Sequence, residues 1–238
     1  MDILFEHGNF ALLRDGFLQT VELSALAALL ALLLGTLLAA FRVSPVPVLR
    51  AFGAVWVTVF RNTPLTLLFL AAVFTLPRLD VRFSPFTFAV LALGFYTAAF
   101  VCEVLRSGIN TVPLGQAEAA RSLGMTFGQT LRLVILPQAA KTVMGPMSSV
   151  FIALPRNSAI AGAFSVAELF QAQASLTDLG YPIVLIFFWV ALPYLAISAS
   201  VGVLFHYLPQ IALAAGRLVR GLSERGTPVR TETVEANQ

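Results

Sequence analysis

Cysteine is nearly absent: Cys102 stands alone among 238 residues, which excludes an intrachain disulfide and any site built from several thiolates. It reads as a small apolar core residue. Charge is scarce too. Asp, Glu, Lys and Arg make up 11% of the chain against 58% hydrophobic residues, where a soluble domain carries about a quarter charged residues. That balance argues against a water-soluble globule. Lysine occurs once, at Lys141, and the positions ahead of it where a phosphate-cradling loop needs glycines hold Ile135 and Ala140. The chain cannot bind ATP in that way. It also lacks H-E-x-x-H, G-x-S-x-G and a pair of central aspartates, the patterns of membrane-embedded enzymes. His7 and His206 lie far apart in sequence and suit loop or headgroup positions better than a metal site.

What the chain does have is long apolar runs. Leu23 to Phe41 covers 19 residues and Phe83 to Cys102 covers 20, both without a formal charge, and each is long enough to cross a bilayer as a helix. Backbone groups in hydrocarbon need partners within their own segment, so the pattern predicts an all-α membrane protein. Five spans are expected, near 17–41, 52–76, 84–105, 138–161 and 182–208, forming one transmembrane domain over 17–216. Residues 1–16 lack a basic start and a cleavage site and read as a retained extracytoplasmic segment. Residues 217–238 are polar and read as a cytoplasmic tail without fixed structure.

Leu179 to Gly216 has no formal charge over 38 residues and fits either one long helix or a hairpin. Charge chooses between them. With a single span, the connections 42–50 and 106–141 and the tail share one side and hold ten Lys/Arg, while Arg14, Arg78 and Arg82 lie on the other. The positive-inside tendency then puts the N-terminus outside and the C-terminus in the cytoplasm. The net charge of +3 follows from this topology and gives no basic stripe for nucleic acid.

The longest connection, about 106–137, contains Gln116-Ala-Glu118-Ala119-Ala120-Arg121-Ser-Leu-Gly124-Met-Thr126-Phe-Gly-Gln129. It reads as two short helices meeting at Gly124, a residue suited to the left-handed position after a helix end. Thr126-x-x-Gln129 can form a capping box, and Leu136-Pro137 marks a break before the fourth span. The alanine-rich helix suits the groove of a partner protein; its composition fits equally an ordinary loop helix lying against the bundle.

Glu118-Ala119-Ala120, then Gly124, then Val134-Ile-Leu-Pro137 resembles the cytoplasmic "EAA" loop of ATP-binding-cassette (ABC) importer permeases, with Val134 where the pattern usually has Ile. Arg61-Asn-Thr-Pro-Leu65, Ser107-Gly-Ile-Asn110 and Arg156-Asn-Ser-Ala159 resemble stretches of the polar amino-acid uptake permeases, the group with histidine and glutamine permeases. Phe41-Arg-Val-Ser-Pro45 and Gly115 to Leu123 bring the likeness nearest to actinobacterial glutamate permeases. The resemblance implies the transmembrane half of a type I ABC importer in a bacterial cell membrane. It implies a second permease subunit, a pair of ATPase subunits that bind the ATP and Mg, and an extracytoplasmic substrate-binding protein. Carried over, Glu118, Ala119, Ala120, Arg121 and Gly124 would couple the ATPase to the spans, with Glu118 as polar anchor, the two alanines as close-packing face and Gly124 as turn.

Arg61 and Arg156 interrupt the spans. Each costs about 2.5–3.5 kcal/mol at mid-depth unless paired or solvated. Each is followed by hydrogen-bonding residues, Asn62-Thr63 and Asn157-Ser158, and lies near a proline, Pro64 or Pro155. Broken helices of this kind line substrate sites in transporters, and arginine can grip a carboxylate with two bonds. These six residues are the candidate substrate path; alternatively Glu103, Glu22 or freed carbonyls satisfy the arginines. An ion-coupled transporter or channel is the competing function. The spans offer few carboxylates for ion coupling beyond Glu22 and Glu103, which counts against it.

Overall fold

A computed structural model describes residues 8–225, with side-chain surroundings as far as Leu208. Helix α1 (Asn9–Val43) starts after Gly8, which is left-handed at φ 81°, and stops at Ser44, where the backbone turns extended before the prolines. Its buried face runs through Gly16, Thr20, Ser24, Ala27, Ala31, Gly35 and Ala39. Small residues at helical spacing let another helix approach closely, and α4 (Pro85–Asn110) takes that place along α1. A Cβ on Gly35 would fall 2.6 Å from Val101 Cβ, and one on Gly94 of α4 would fall 2.6 Å from Leu30 Cδ2. The two helices therefore interlock, each glycine receiving the other's branched side chain. Helix α4 is opened by Ser84, whose hydroxyl accepts from the Thr87 N–H, with Pro85 in its first turn.

The second expected span, 52–76, is not one helix. Helix α2 (Pro47–Asn62) ends at Thr63, which is extended at φ −90°, ψ 127°, because Pro64 disfavours helical geometry in the residue before it. Helix α3 (Leu65–Leu70) continues through a π turn (Ala71–Thr75) and a 3-10 turn (Leu76–Leu79), and the two arms meet at 102°.

After α4 come α5 (Leu114–Ser122), the single-turn α6 (Phe127–Gln129) and α7 (Leu136–Gly162). The expected break at Leu136-Pro137 is absent. A π turn over Thr130–Ile135 joins α6 to α7, and the Leu136 N–H donates to the Leu131 carbonyl. Pro137 thus sits in the first turn of α7, where its missing N–H costs little. Helix α8 (Leu169–Asp178) follows, then α9 (Ile183–Arg225). Helix α9 is a single helix, as the charge count requires. It runs beyond residue 216 into the expected tail, and 226–238 lie outside the described residues, as do 1–7 of the expected N-terminal segment.

Among the described residues three helices are long and apolar enough to cross a membrane: Asn9–Val43, Pro85–Asn110 and Ile183–Leu208; the bent pair makes four if it counts as one span. This is fewer than the five the sequence predicts. Helix α7 is long enough at 27 residues, but Lys141, Arg156 and their polar neighbours leave it less apolar than the other three. The main core lies where α1, α3, α4 and α7 meet. A smaller one joins the start of α1 to α8 and α9 through Leu13, Leu169, Leu176 and Ile186.

Candidate functional site

The connection between α4 and α7 folds as a projecting helical turn. Helix α5 closes with both bonds of a Schellman motif: the Gly124 N–H donates to Arg121 O at 2.9 Å, and the Met125 N–H to Ala120 O at 3.2 Å. Gly124 holds the left-handed position at φ 79°, which glycine adopts without steric cost. Thr126 and Gln129 form the reciprocal capping box, with the Gln129 N–H donating to Thr126 Oγ1 at 3.3 Å and the Thr126 N–H to Gln129 Oε1 at 2.8 Å. Glu118, Ala119, Arg121 and Gly124 are exposed, and Leu114 and Leu123 project at the two ends of the helix. The alanines part company: Ala119 is open, whereas Ala120 is buried. Ala120 packs against its own chain, and Ala119 is the one of the two expected close-packing alanines that is open.

Within the bundle one carboxylate serves three guanidinium groups. Arg106, one turn on, donates to Glu103 from Nε at 3.3 Å and from Nη2 at 3.0 Å. Arg42, at the end of α1, pairs with Glu103 Oε1, and Arg61 from α2 stands 3.5 Å from Oε2. Of the partners anticipated for Arg61, Glu103 is the one present. Its guanidinium also lies 5.4 Å from the centre of the Phe100 ring, a cation–π arrangement. Asn62 and Thr63 turn back on α2. The Asn62 amide donates to Thr58 O and the Thr63 hydroxyl to Val59 O, each at 2.8 Å, so they satisfy carbonyls near the break.

The other triplet is split by the helical rotation of α7. Asn157 lines a cleft of about 280 Å³ with Tyr96, Thr97, Phe100, Ser149 and Ala153, and its amide has no hydrogen-bond partner among the described residues. Ser158 faces the core and donates to Pro155 O at 2.7 Å. Arg156 points elsewhere, into an apolar groove of about 590 Å³ edged by Gln173 and Tyr194, without an ion pair among the described residues. Phe100 thus has Arg61 over its ring and shares the lining of a cleft with Asn157, while Arg156 lines a different groove.

Sequence reasoning missed Glu168. It is fully buried at the start of α8, where its carboxylate accepts the Gln171 N–H at 3.1 Å and the Tyr194 hydroxyl. The Thr20 hydroxyl is 3.4 Å away and accepts the Leu169 N–H at 3.1 Å. Burial raises the Glu168 carboxyl to about pH 6 despite these donors. A Cβ on Gly162 would fall 2.3 Å from its Oε1. Four helices, α1, α7, α8 and α9, therefore close around one acid. The signal in the sequence was its isolation, since it is the only charged residue between Arg156 and Asp178.

Residues 31–213 match the family described as binding-protein-dependent transport system inner membrane component. The chain belongs to that family. It is 36% identical over 209 residues to the probable glutamine ABC transporter permease protein GlnM of Bacillus subtilis, covering 87% of this chain and 95% of that protein. It is 44% identical over 168 residues to the glutamate transport system permease protein GluC of Corynebacterium glutamicum, covering 66% of this chain and 74% of that one. The solved structure of an amino acid ABC transporter with histidines superposes with a TM-score of 0.80 at 28% identity, over 88% of this chain and 98% of that chain. The chain is a multi-pass membrane transport subunit related to amino-acid ABC permeases.

Proposed function

We propose that this chain is the permease subunit of an ATP-driven importer of polar amino acids, glutamate or a related one. It receives substrate from an extracytoplasmic binding protein and works with a separate pair of ATPase subunits and a second permease subunit, identical or homologous. Family membership supports the class. The observation that carries the mechanism is the exposed Glu118–Gly124 turn, held by the Schellman bonds and joined to α7 through the π turn. An ATPase that grips α5 acts directly on the helix that carries Asn157.

In this reading α7 is the remaining crossing of a five-span bundle in a bacterial cell membrane. The N-terminus is outside, and the α4–α7 connection and residues 217–238 are in the cytoplasm. Glu118 and Arg121 dock on the ATPase, Ala119 packs closely there, Ala120 anchors the helix and Gly124 sets the turn. Arg61 and Asn157 line the substrate path. Asn62 and Thr63 stabilise its backbone at the break after α2, Ser158 bonds back onto α7, and Arg156 faces the neighbouring groove.

The test is reconstitution in proteoliposomes with and without the co-purified ATPase. The expected result is glutamate or glutamine uptake that requires ATP and the binding protein. Uptake driven by an ion gradient alone would replace this reading with the ion-coupled one.

A further inference from the structure

The run of helix that leaves the α5–α6 turn ends at Gly162, and the first turn of α8 is seated against that end. A methyl group on Gly162 would overlap the Glu168 carboxylate and come within 3.0 Å of the Gln171 nitrogen. One on Gly16 of α1 would come within 3.3 Å of Ala172 Cβ and of the Glu168 carbonyl. Two glycines, one from each neighbouring helix, thus clamp this turn, and a shift of the end of α7 bears directly on Glu168.

The contacts Glu168 makes are of a kind that can let go. No cation pairs with its carboxylate among the described residues; its partners are Tyr194 of α9, Thr20 of α1 and the Gln171 N–H of its own helix. For a fixed junction a packed apolar side chain would hold at least as well, since buried charged groups seldom stabilise more than hydrophobic ones of similar volume. Hydrogen bonds differ in being directional, and they weaken steeply once the angle is lost. Thr20 shows how release is accommodated. Its hydroxyl has one proton and two acceptors for it, Gly16 O at 2.9 Å and Glu168 Oε2 at 3.4 Å. It can drop the carboxylate and stay satisfied on its own helix, which leaves the Tyr194 bond as the polar tie to α9.

We propose that Glu168 is a positioning residue for transport, a latch that ties α1 and α9 to the end of α7 and frees them when α7 shifts. The latched arrangement is the one described above, with the bundle shut at the end where α1 begins. Released, that end parts to take substrate from the binding protein. This rests on the reading of the chain as a permease subunit, and it adds the place where a displacement of α5 is felt on the opposite face.

The experiment is hydrogen–deuterium exchange, read by mass spectrometry, on the permease–ATPase complex in nanodiscs. The Leu169 and Gln171 amides report the latch, because they donate to Thr20 and to Glu168. In the wild type, exchange over residues 168–172 should be slow without nucleotide and faster with ATP and the binding protein. Tyr194→Phe removes one bond to the carboxylate and should speed that exchange about tenfold without nucleotide, the scale of one charge-assisted bond. It should also raise ATPase activity without binding protein relative to activity with it, a ratio that a purely structural contact would leave alone. Gly162→Ala, which displaces the carboxylate, should act in the same direction; if it is not recovered from the membrane, Tyr194→Phe alone decides. The proposal is overturned if wild-type exchange over 168–172 is the same in both states, or if Tyr194→Phe leaves exchange and the ATPase ratio unchanged. Exchange that rises equally across α4, with the ratio unmoved, also overturns it, since the contact then only holds the fold. ATP-driven uptake by the wild-type complex is scored separately, so the permease reading can stand while this one falls.

Discussion

Replacing Gly124 tests whether the coupling turn works through its backbone. Nothing lies within 4 Å of the place a Cβ would take there, so a new side chain meets no clash inside the chain. What it meets is the left-handed backbone at φ 79°, which costs an ordinary residue about 1–2 kcal/mol. That cost is large on the scale of a local equilibrium, where 1–2 kcal/mol is a factor of about 5–30 in population. Asparagine tolerates this region better than alanine, and a β-branched residue tolerates it least. The expected order of coupling is therefore Gly, then Gly124→Asn, then Gly124→Ala, then Gly124→Val. The assay is substrate-stimulated ATPase activity of the assembled transporter, with membrane insertion and recovery of the complex as controls. Stimulation by Gly124→Ala equal to the wild type would refute the reasoning. So would Gly124→Asn failing as badly as Gly124→Val, which would mean that a partner presses on the glycine and size decides.

Three further outcomes are expected. Glu118→Lys should abolish substrate-stimulated ATPase activity while the protein still inserts, because its carboxylate is exposed and free of ion pairs within the described chain; unchanged stimulation would remove it from the docking surface. Gly35→Ala should cost about 1–3 kcal/mol of stability by overpacking, since its Cβ falls 2.6 Å from Val101, and Val101→Ala should recover part of the lost melting temperature in the double variant; additive losses would contradict the interlocked packing. Glu168 is held at about 6 in the fold, above its unfolded value of about 4.3, so its protonated form is favoured and stability is lost as pH rises through 6. Relative to Glu168→Gln, the wild type should lose about 2 kcal/mol between about pH 4.5 and about pH 7.5, and parallel melting curves across that range would count against it.

Much of this was legible in local sequence, and the reason is range. The Thr126–Gln129 box and the turn at Gly124 depend on neighbours a few residues away, and both form as their spacing requires. Prolines were harder to read, because the same residue has two outcomes. Pro64 turns the chain through 102°, while Pro137 is absorbed by a π turn that keeps the helix going; the difference lies in the preceding residue, extended at Thr63 and helical at Leu136. Charge partners were least legible. That Glu103 pairs with Arg106 follows from helical spacing, but its contact with Arg42 spans 61 positions, and the Glu168–Thr20 contact spans 148. Such pairs exist only once the helices have packed, and the α1–α4 packing depends on small residues whose significance no single position declares.

The unbroken helical path from Phe127 through the π turn to Gly162 has a mechanical consequence. At 1.5 Å per residue it spans about 50 Å, the depth of a membrane with its headgroups. It can serve as a connecting rod, because a hydrogen-bonded helix carries an axial push with little compression. Its give is concentrated at Pro146 and Pro155, two joints upstream of Asn157 along the stroke. Where the rod flexes would then decide whether the cleft beside that residue changes shape in step with the motor or lags behind it.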